Sequence, residues 1–212
     1  MRMKRLKQLW AFDRKIGCEV QGRIAGLDEA GRGPLAGPVV ASAVMWAGRP
    51  KLNDLDDSKK LSAKIRELLF WQICRCALVG IGVADEDEID RLNIYQATRL
   101  AMSRAVLALT RTPDFLLIDG TMKLDLPLLQ KPVVGGDRRS ASIAAASIIA
   151  KVYRDAWMTH LDQLYPHYRF AVHKGYGTSN HLQILKACGP SPVHRRSFAP
   201  VRQMTQAEAV LL

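Results

Sequence analysis

The residues best placed to do chemistry are acids at the ends of apolar runs. Asp28 and Glu29 follow Ile24-Ala25-Gly26-Leu27, Asp119 follows Phe115-Leu116-Leu117-Ile118, and Asp137 follows Pro132-Val133-Val134-Gly135-Gly136. Short apolar runs of this kind read as buried strands, so each acid falls where a strand ends. In an α/β sheet, ligands collect beyond the carboxyl ends of the strands, which would bring the four acids together. Gathered carboxylates raise one another's pKa. Hard divalent cations with oxygen ligands, Mg²⁺ or Mn²⁺, resolve that repulsion. A strand-terminal Asp also caps turns, which is its ordinary role. The adjacent Asp28–Glu29 pair suits that role less well, because two acids repel without helping the turn.

The segment Gly31-Arg32-Gly33-Pro34-Leu35-Ala36-Gly37 follows the first pair directly. It carries no G-K-[ST], and Pro34, Pro38 and a β-branched run stand where a phosphate-binding helix would begin, which excludes the P-loop and dinucleotide readings. A glycine turn can still bring backbone N–H groups close to a ligand, here beside the acids and with Arg32 at hand.

The chain's 31 Lys and Arg against 20 Asp and Glu give a net charge of +11 over 212 residues, with a pI near 9.8. Such an excess points to a polyanionic partner or to a well-solvated basic surface. Six bases fall in residues 1–15, and six more with all five histidines lie from His160 onward. An acidic core inside a basic shell suits nucleic acid: the shell holds phosphates and the metals act on one of them. The opposite pole, Asp85 to Asp90, either repels a duplex or opens a helix favourably.

The elements that must position these groups can be read from periodicity. A short basic and apolar helix is predicted over residues 3–16, with strands at Arg23–Leu27, Pro38–Trp46 and Ala77–Ala84. Helices follow at Ser62–Cys76, with Ser62 as N-cap, and at Ile94–Thr110. Strands at Phe115–Ile118 and Pro132–Val134 precede a helix over Ser140–Trp157, whose Ala, Ser and Ile content predicts close packing on a sheet. The expected fold is α/β, a mixed sheet with helices on its faces. The longest uncharged stretch, the 16 residues Gly33 to Gly48, holds two prolines and is too short to span a bilayer. The four cysteines lack paired C-x-x-C spacing and read as reduced thiols of a cytoplasmic protein, with Cys74 and Cys76 as small core residues.

These motifs together resemble ribonuclease HII. The likeness rests on Gly26-Leu27-Asp28-Glu29-Ala30-Gly31-Arg32-Gly33-Pro34-Leu35-Ala36-Gly37-Pro38-Val39, then Asp57-Ser58-Lys59-Lys60-Leu61-Ser62, Leu117-Ile118-Asp119-Gly120 and Gly135-Gly136-Asp137. Ser142 to Lys151, His173-Lys174-Gly175-Tyr176-Gly177-Thr178 and Ser191-Pro192-Val193-His194-Arg195-Arg196-Ser197-Phe198 continue it in order. The resemblance implies a ribonuclease-H-like mixed five-stranded sheet flanked by helices, with a small helical C-terminal region. It implies a helical extension over 1–22, a catalytic domain over 23–198 (mostly helix and loop from about 158) and a short tail over 199–212.

It further implies an endonuclease that cuts the RNA strand of RNA–DNA hybrids and incises 5′ to single ribonucleotides in duplex DNA, leaving 5′-phosphate and 3′-hydroxyl ends. Asp28, Glu29, Asp119 and Asp137 would bind two ions, Mn²⁺ or Mg²⁺, about 4 Å apart. Gly31, Arg32 and Gly33 would read the ribose 2′-hydroxyl, and Tyr176 would stack on the neighbouring sugar. Among the bases, Lys59, Lys174, His194, Arg195 and Arg196 are expected to contact the nucleic-acid backbone. Lys151 and Arg154 either reach the DNA or snorkel. The histidines, without zinc-type spacing, are expected to be solvated or phosphate-facing. A monomer that does not engage membranes is expected, with a replication or repair partner left open. The related ribonuclease HIII type and a non-catalytic hybrid-binding protein are the rival readings.

Overall fold

The computed structural model describes residues 2–210 apart from 51, 53, 54, 56, 57, 59 and 60, and leaves the side chains of 2–4 and 205–210 undescribed. Five strands, β1 (Ile24–Ala30), β2 (Val39–Trp46), β3 (Ala77–Ala84), β4 (Phe115–Asp119) and β5 (Leu129–Val133), form one sheet in the order β3-β2-β1-β4-β5. The first three pair antiparallel, while β4 lies parallel to both β1 and β5. The sheet is therefore mixed, and β1 is the strand at which the two modes of pairing meet.

Alternation along the strands assigns the faces. Ala25 and Leu27 of β1, with Val39, Ala41, Ala43 and Met45 of β2, join the cluster formed with Ala97, Ala101, Met102 and Ala105 of α4 (Ile94–Leu107). The opposite face meets α5 (Ala141–Leu164) and α2 (Ala63–Cys76), with Val44 packed among Ala144, Ala145, Ile148 and Ile149. Glycines set how closely the helices approach. A Cβ on Gly26 would lie 2.3 Å from the Ser142 carbonyl carbon, and one on Gly82 would lie 2.0 Å from the Ala101 oxygen. Only a residue without a side chain fits between strand and helix at those distances.

α1 (Arg2–Val20) lies against the body through Leu9, Trp10 and Ile16. Its buried Asp13 accepts from the Ser142 N–H at 2.8 Å and from its hydroxyl at 2.7 Å, covering the N-terminus of α5. Ser62 caps α2 as predicted, accepting from Ile65 N. The acidic run opens α3 (Glu86–Leu92), where Asp85 and Glu88 form a reciprocal capping box. α5 runs seven residues past its predicted end, because Met158 and Leu161 continue its buried face, and it stops at Tyr165–Pro166. The segments α6 (Phe170–His173), α7 (Ser179–Cys188) and α8 (Ala199–Val210) pack around Phe170, Leu185 and Val201. Val201 is fully buried, so the last helix begins inside the fold. Cys74 is exposed and Cys76 partly so, which corrects the expectation that both are core residues. Among the described residues no helix is long and apolar enough to cross a membrane.

Candidate active site

Face alternation decides where the acids point. Asp28 lies one residue beyond Leu27, which is paired with Ile118, so Asp28 and Asp119 stand side by side at the ends of adjacent parallel strands. Both continue the α5 side of the sheet, because Leu27 and Ile118 belong to the opposite cluster. Asp119 Oδ1 accepts from Gly136 N at 2.6 Å, which binds the end of β4 to the turn Gly136–Arg138 that carries Asp137. A Cβ on Gly136 would sit 2.5 Å from Ile143 Cδ1, so that turn requires glycine.

The four acids feel one another. Asp28 is 7 % exposed, and its carboxyl is pushed well above the ordinary range, first by burial and then by the charges of Glu29, Asp119 and Asp137. Its Oδ1 accepts from Glu29 N at 2.7 Å, which opposes the shift. Glu29 is raised by burial, with Asp119 adding to it. The Arg32 guanidinium, 3.3 Å away, works the other way. Asp28, Glu29 and Asp119 line a cavity of about 460 Å³ with Gly31, Arg32, Gly33 and Tyr176. Asp137, 8 % exposed, does not line it. Among the described residues no three His, Cys, Asp or Glu side chains are already drawn together as a finished metal-donor set. The chemistry of the acids nonetheless fits a hard cation: they are carboxylate oxygens, mutually repelling, with the Arg32 guanidinium beside Glu29.

The glycine segment is shaped by what lies beneath it. Gly31 has φ +98°, and a Cβ there would lie 2.0 Å from Arg154 Nε. Arg32 and Gly33 are exposed at the rim, and Tyr176 is 46 % exposed across from them. Tyr176 N donates to His173 O at 2.9 Å, which fixes the turn that presents the ring.

The basic residues separate. Arg196 is exposed, and its N–H donates to Asp90. Lys59 lies outside the described residues. Lys174 is half-buried, and its ammonium donates to Asp155 O and Thr159 Oγ1, so the head is already engaged within the protein. Arg195 and His194 are 0 % and 1 % exposed, which corrects the expectation that they touch nucleic acid. Arg195 donates to the carbonyls of Gly31, Arg32 and Gly37 instead. Arg154, 1 % exposed, neither snorkels nor reaches outward.

Three histidines form a buried chain rather than a solvated surface. His181 Nδ1 bonds Tyr176 O at 2.9 Å, which makes that nitrogen the donor and leaves Nε2 to accept from His194 Nε2–H at 3.0 Å. His194 Nδ1 then accepts from the Ser191 N–H and hydroxyl. His173 lies stacked on His181 at 4.1 Å, accepts from Gly175 N and donates to Tyr168 O. Burial holds His181 down to about 4 and His194 to about 3.

Sequence reasoning gave no role to Ser58 or Ser147, which line the cavity and share a 2.6 Å hydrogen bond. A hydroxyl amid the Ala and Ile of α5 was the available signal. Lys151 also lines the cavity and pairs with Asp155 at 2.7 Å.

Residues 25–201 match the family model described as Ribonuclease HII. The ribonuclease HII of Geobacillus kaustophilus is 52 % identical over 209 residues, covering 98 % of this chain and 80 % of that protein. Among solved structures, the ribonuclease H2 of Pyrococcus horikoshii superposes with a TM-score of 0.72 at 24 % identity, over 87 % of this chain and 98 % of that one. A ribonuclease HIII solved in complex with Mn²⁺ superposes with a TM-score of 0.65 at 19 % identity, over 87 % and 70 %. These two likenesses concern the fold.

Proposed function

Since the chain belongs to the ribonuclease HII family, and so is a metal-dependent ribonuclease H acting on RNA–DNA substrates, we propose a finer reading: it also incises duplex DNA 5′ to a single embedded ribonucleotide. In this reading water attacks the phosphorus, and the bond from phosphorus to the 3′-oxygen of the preceding nucleotide breaks. A 5′-phosphate remains on the ribonucleotide and a 3′-hydroxyl on its neighbour. Asp28, Glu29, Asp119 and Asp137 hold Mg²⁺ or Mn²⁺. Bound there, the cations would make the attacking water more acidic and take up charge on the leaving oxygen.

The chain's own residues then divide the work. The carboxylates, forced together at the sheet end, keep the site negative until cations enter. The Arg32 guanidinium, exposed beside Glu29, meets the phosphate next to the one that is cut. The backbone at Gly31 to Gly33 approaches the ribose, where choosing RNA over DNA means detecting a single hydroxyl. The exposed face of Tyr176 closes on the adjoining sugar. Arg196 and Lys59 serve as outer phosphate contacts, which steer and hold the duplex without reading it.

One observation carries this reading: Asp28, on the central strand, lines one cavity with Glu29 and Asp119, and its carboxyl is raised by burial and then by the charges of Glu29, Asp119 and Asp137. The test is cleavage of three labelled duplexes in Mg²⁺ and in Mn²⁺: one with a lone ribonucleotide, one with a continuous RNA strand, one all DNA. The first is expected to be nicked once, 5′ to the ribonucleotide, the second at many positions and the third not at all. Asp119→Asn should abolish cleavage while duplex binding persists. Normal cutting by that variant, or activity confined to the continuous hybrid, would overturn the reading.

A further inference from the structure

Two arginines lie under the glycine segment, and among the described residues neither makes an ion pair with a carboxylate. Arg154 Nε donates to Pro38 O at 2.9 Å, Nη1 to Lys174 O at 3.0 Å and Nη2 to Ala36 O at 3.1 Å. Arg195 donates to Gly37 O from Nε at 2.8 Å and from Nη2 at 2.6 Å, to Gly31 O at 2.6 Å and to Arg32 O at 3.0 Å. Its own N–H reaches Leu35 O at 2.9 Å, and its guanidinium lies over the Phe198 ring. Between Gly31 and Pro38, six carbonyls are thus drawn toward these two residues. Burying two like charges with no carboxylate in direct contact among the described residues is costly: burial and Arg154 hold Arg195 down to about 9, and the charges of Glu86 and Asp90 offset only part of that. Apolar side chains would fill the space at less cost. The arginines therefore mark a place where backbone direction matters.

The direction they impose follows from the peptide unit. In a trans peptide the C=O of one residue and the N–H of the next point opposite ways, and no described peptide is cis. Turning the Gly31 and Arg32 carbonyls inward to Arg195 turns the Arg32 and Gly33 N–H groups outward. Both residues line the cavity beside the acids. The Arg154 fork adds the second half of the frame, joining Ala36 and Pro38 to Lys174, two residues before Tyr176. The two sides of the cavity are thereby tied through a single buried charge.

We propose that Arg195, with Arg154, is a positioning residue for ribose recognition: it touches no substrate, but fixes the two outward N–H donors that distinguish a ribonucleotide from a deoxyribonucleotide. This deepens the proposed function and rests on it. Arg195→Lys keeps the charge and loses the planar fork that spans three carbonyls. Two constants separate the roles: KM for the duplex with one ribonucleotide, and the inhibition constant of the all-DNA duplex as competitor. In Arg195→Lys, KM is expected to rise about tenfold toward that inhibition constant, which itself stays within about twofold. Arg154→Lys should move KM the same way. A merely structural role would lower kcat with the active fraction and leave both constants alone. That result, an equal rise in both constants, or failure of both variants to fold overturns the proposal. A wild type whose two constants are already equal would instead count against the proposed function.

Discussion

Two charged regions of this molecule solve the same problem in opposite ways. At the sheet end, Asp28 feels the charges of Glu29, Asp119 and Asp137, with Arg32, 3.3 Å from Glu29, as the opposing guanidinium. Beneath the glycine segment, two buried guanidiniums make seven bonds to carbonyl oxygens, and all six ring nitrogens of His173, His181 and His194 are engaged. The first region keeps most of its repulsion, while in the second every side-chain nitrogen of the two arginines and three histidines has a partner. Like charges are gathered where the proposed cations would enter, and hydrogen bonds are completed where shape has to be kept.

Breaking the first region gives the largest effect. Asp28→Asn retains the oxygen that accepts from Glu29 N but removes a charge from the cluster. Cleavage should fall by at least about 100-fold, since metal-borne stabilisation amounts to several kcal/mol. The metal-free protein should meanwhile gain roughly 1 kcal/mol at pH 8, because a buried charge and its repulsions are gone. Steady-state rates and urea unfolding read the two together, and a loss of apoprotein stability would show that the acids are not in conflict.

The second region should fail from the acid side. His181 and His194 stay neutral in the fold, at about 4 and about 3, whereas unfolded histidine titrates near 6.5. Between those values the unfolded chain binds protons that the folded chain refuses, so stability falls as pH falls. The contribution is whole well above pH 6.5 and should decline by about 3 kcal/mol for each histidine toward pH 4. Asp28 and Glu29 slope the other way: their raised values mean that the fold retains protons longer, which favours it as pH falls. Unfolding midpoints of the wild type and of His181→Asn across that range separate the trends, and the variant should show the shallower acid limb.

A control comes from an ion pair left in water. Arg104 meets Glu88 through two 2.7 Å bonds, yet is 43 % exposed. Arg104→Ala should cost less than about 1 kcal/mol in the same unfolding measurement. A cost rivalling that of the buried groups would mean that solvent is not what separates the two regions.

What the chain revealed beforehand follows the same division. Apolar runs ending in Asp28–Glu29 and Asp119 were legible, because strand and acid are neighbours in sequence, as was the cap at Ser62. β5 begins three residues before its predicted start, since Gln130 and Lys131 are polar residues on an edge strand and carry no apolar pattern. Arg195 and His194 were misread because His-Arg-Arg in a line looks like a solvated patch. A ring of carbonyls from residues about 160 positions earlier encloses Arg195, and His181, Ser191 and the rings of Tyr168 and Phe170 enclose His194. The histidine chain was hidden for a like reason, its members coming from α6, α7 and the following loop.

α5 belongs to both ends of the molecule, and that has a mechanical consequence. Its first turn is pinned by Asp13 through Ser142, and Arg154 rides on it 12 residues later, a rise of about 18 Å. A rod of that length is a lever. A tilt of about 3° at the Asp13 end swings the far end by about 1 Å, the scale at which misplaced groups forfeit about 100-fold in rate. Damage at the Asp13 end, far from the glycine segment, would therefore be felt as misplacement at the other.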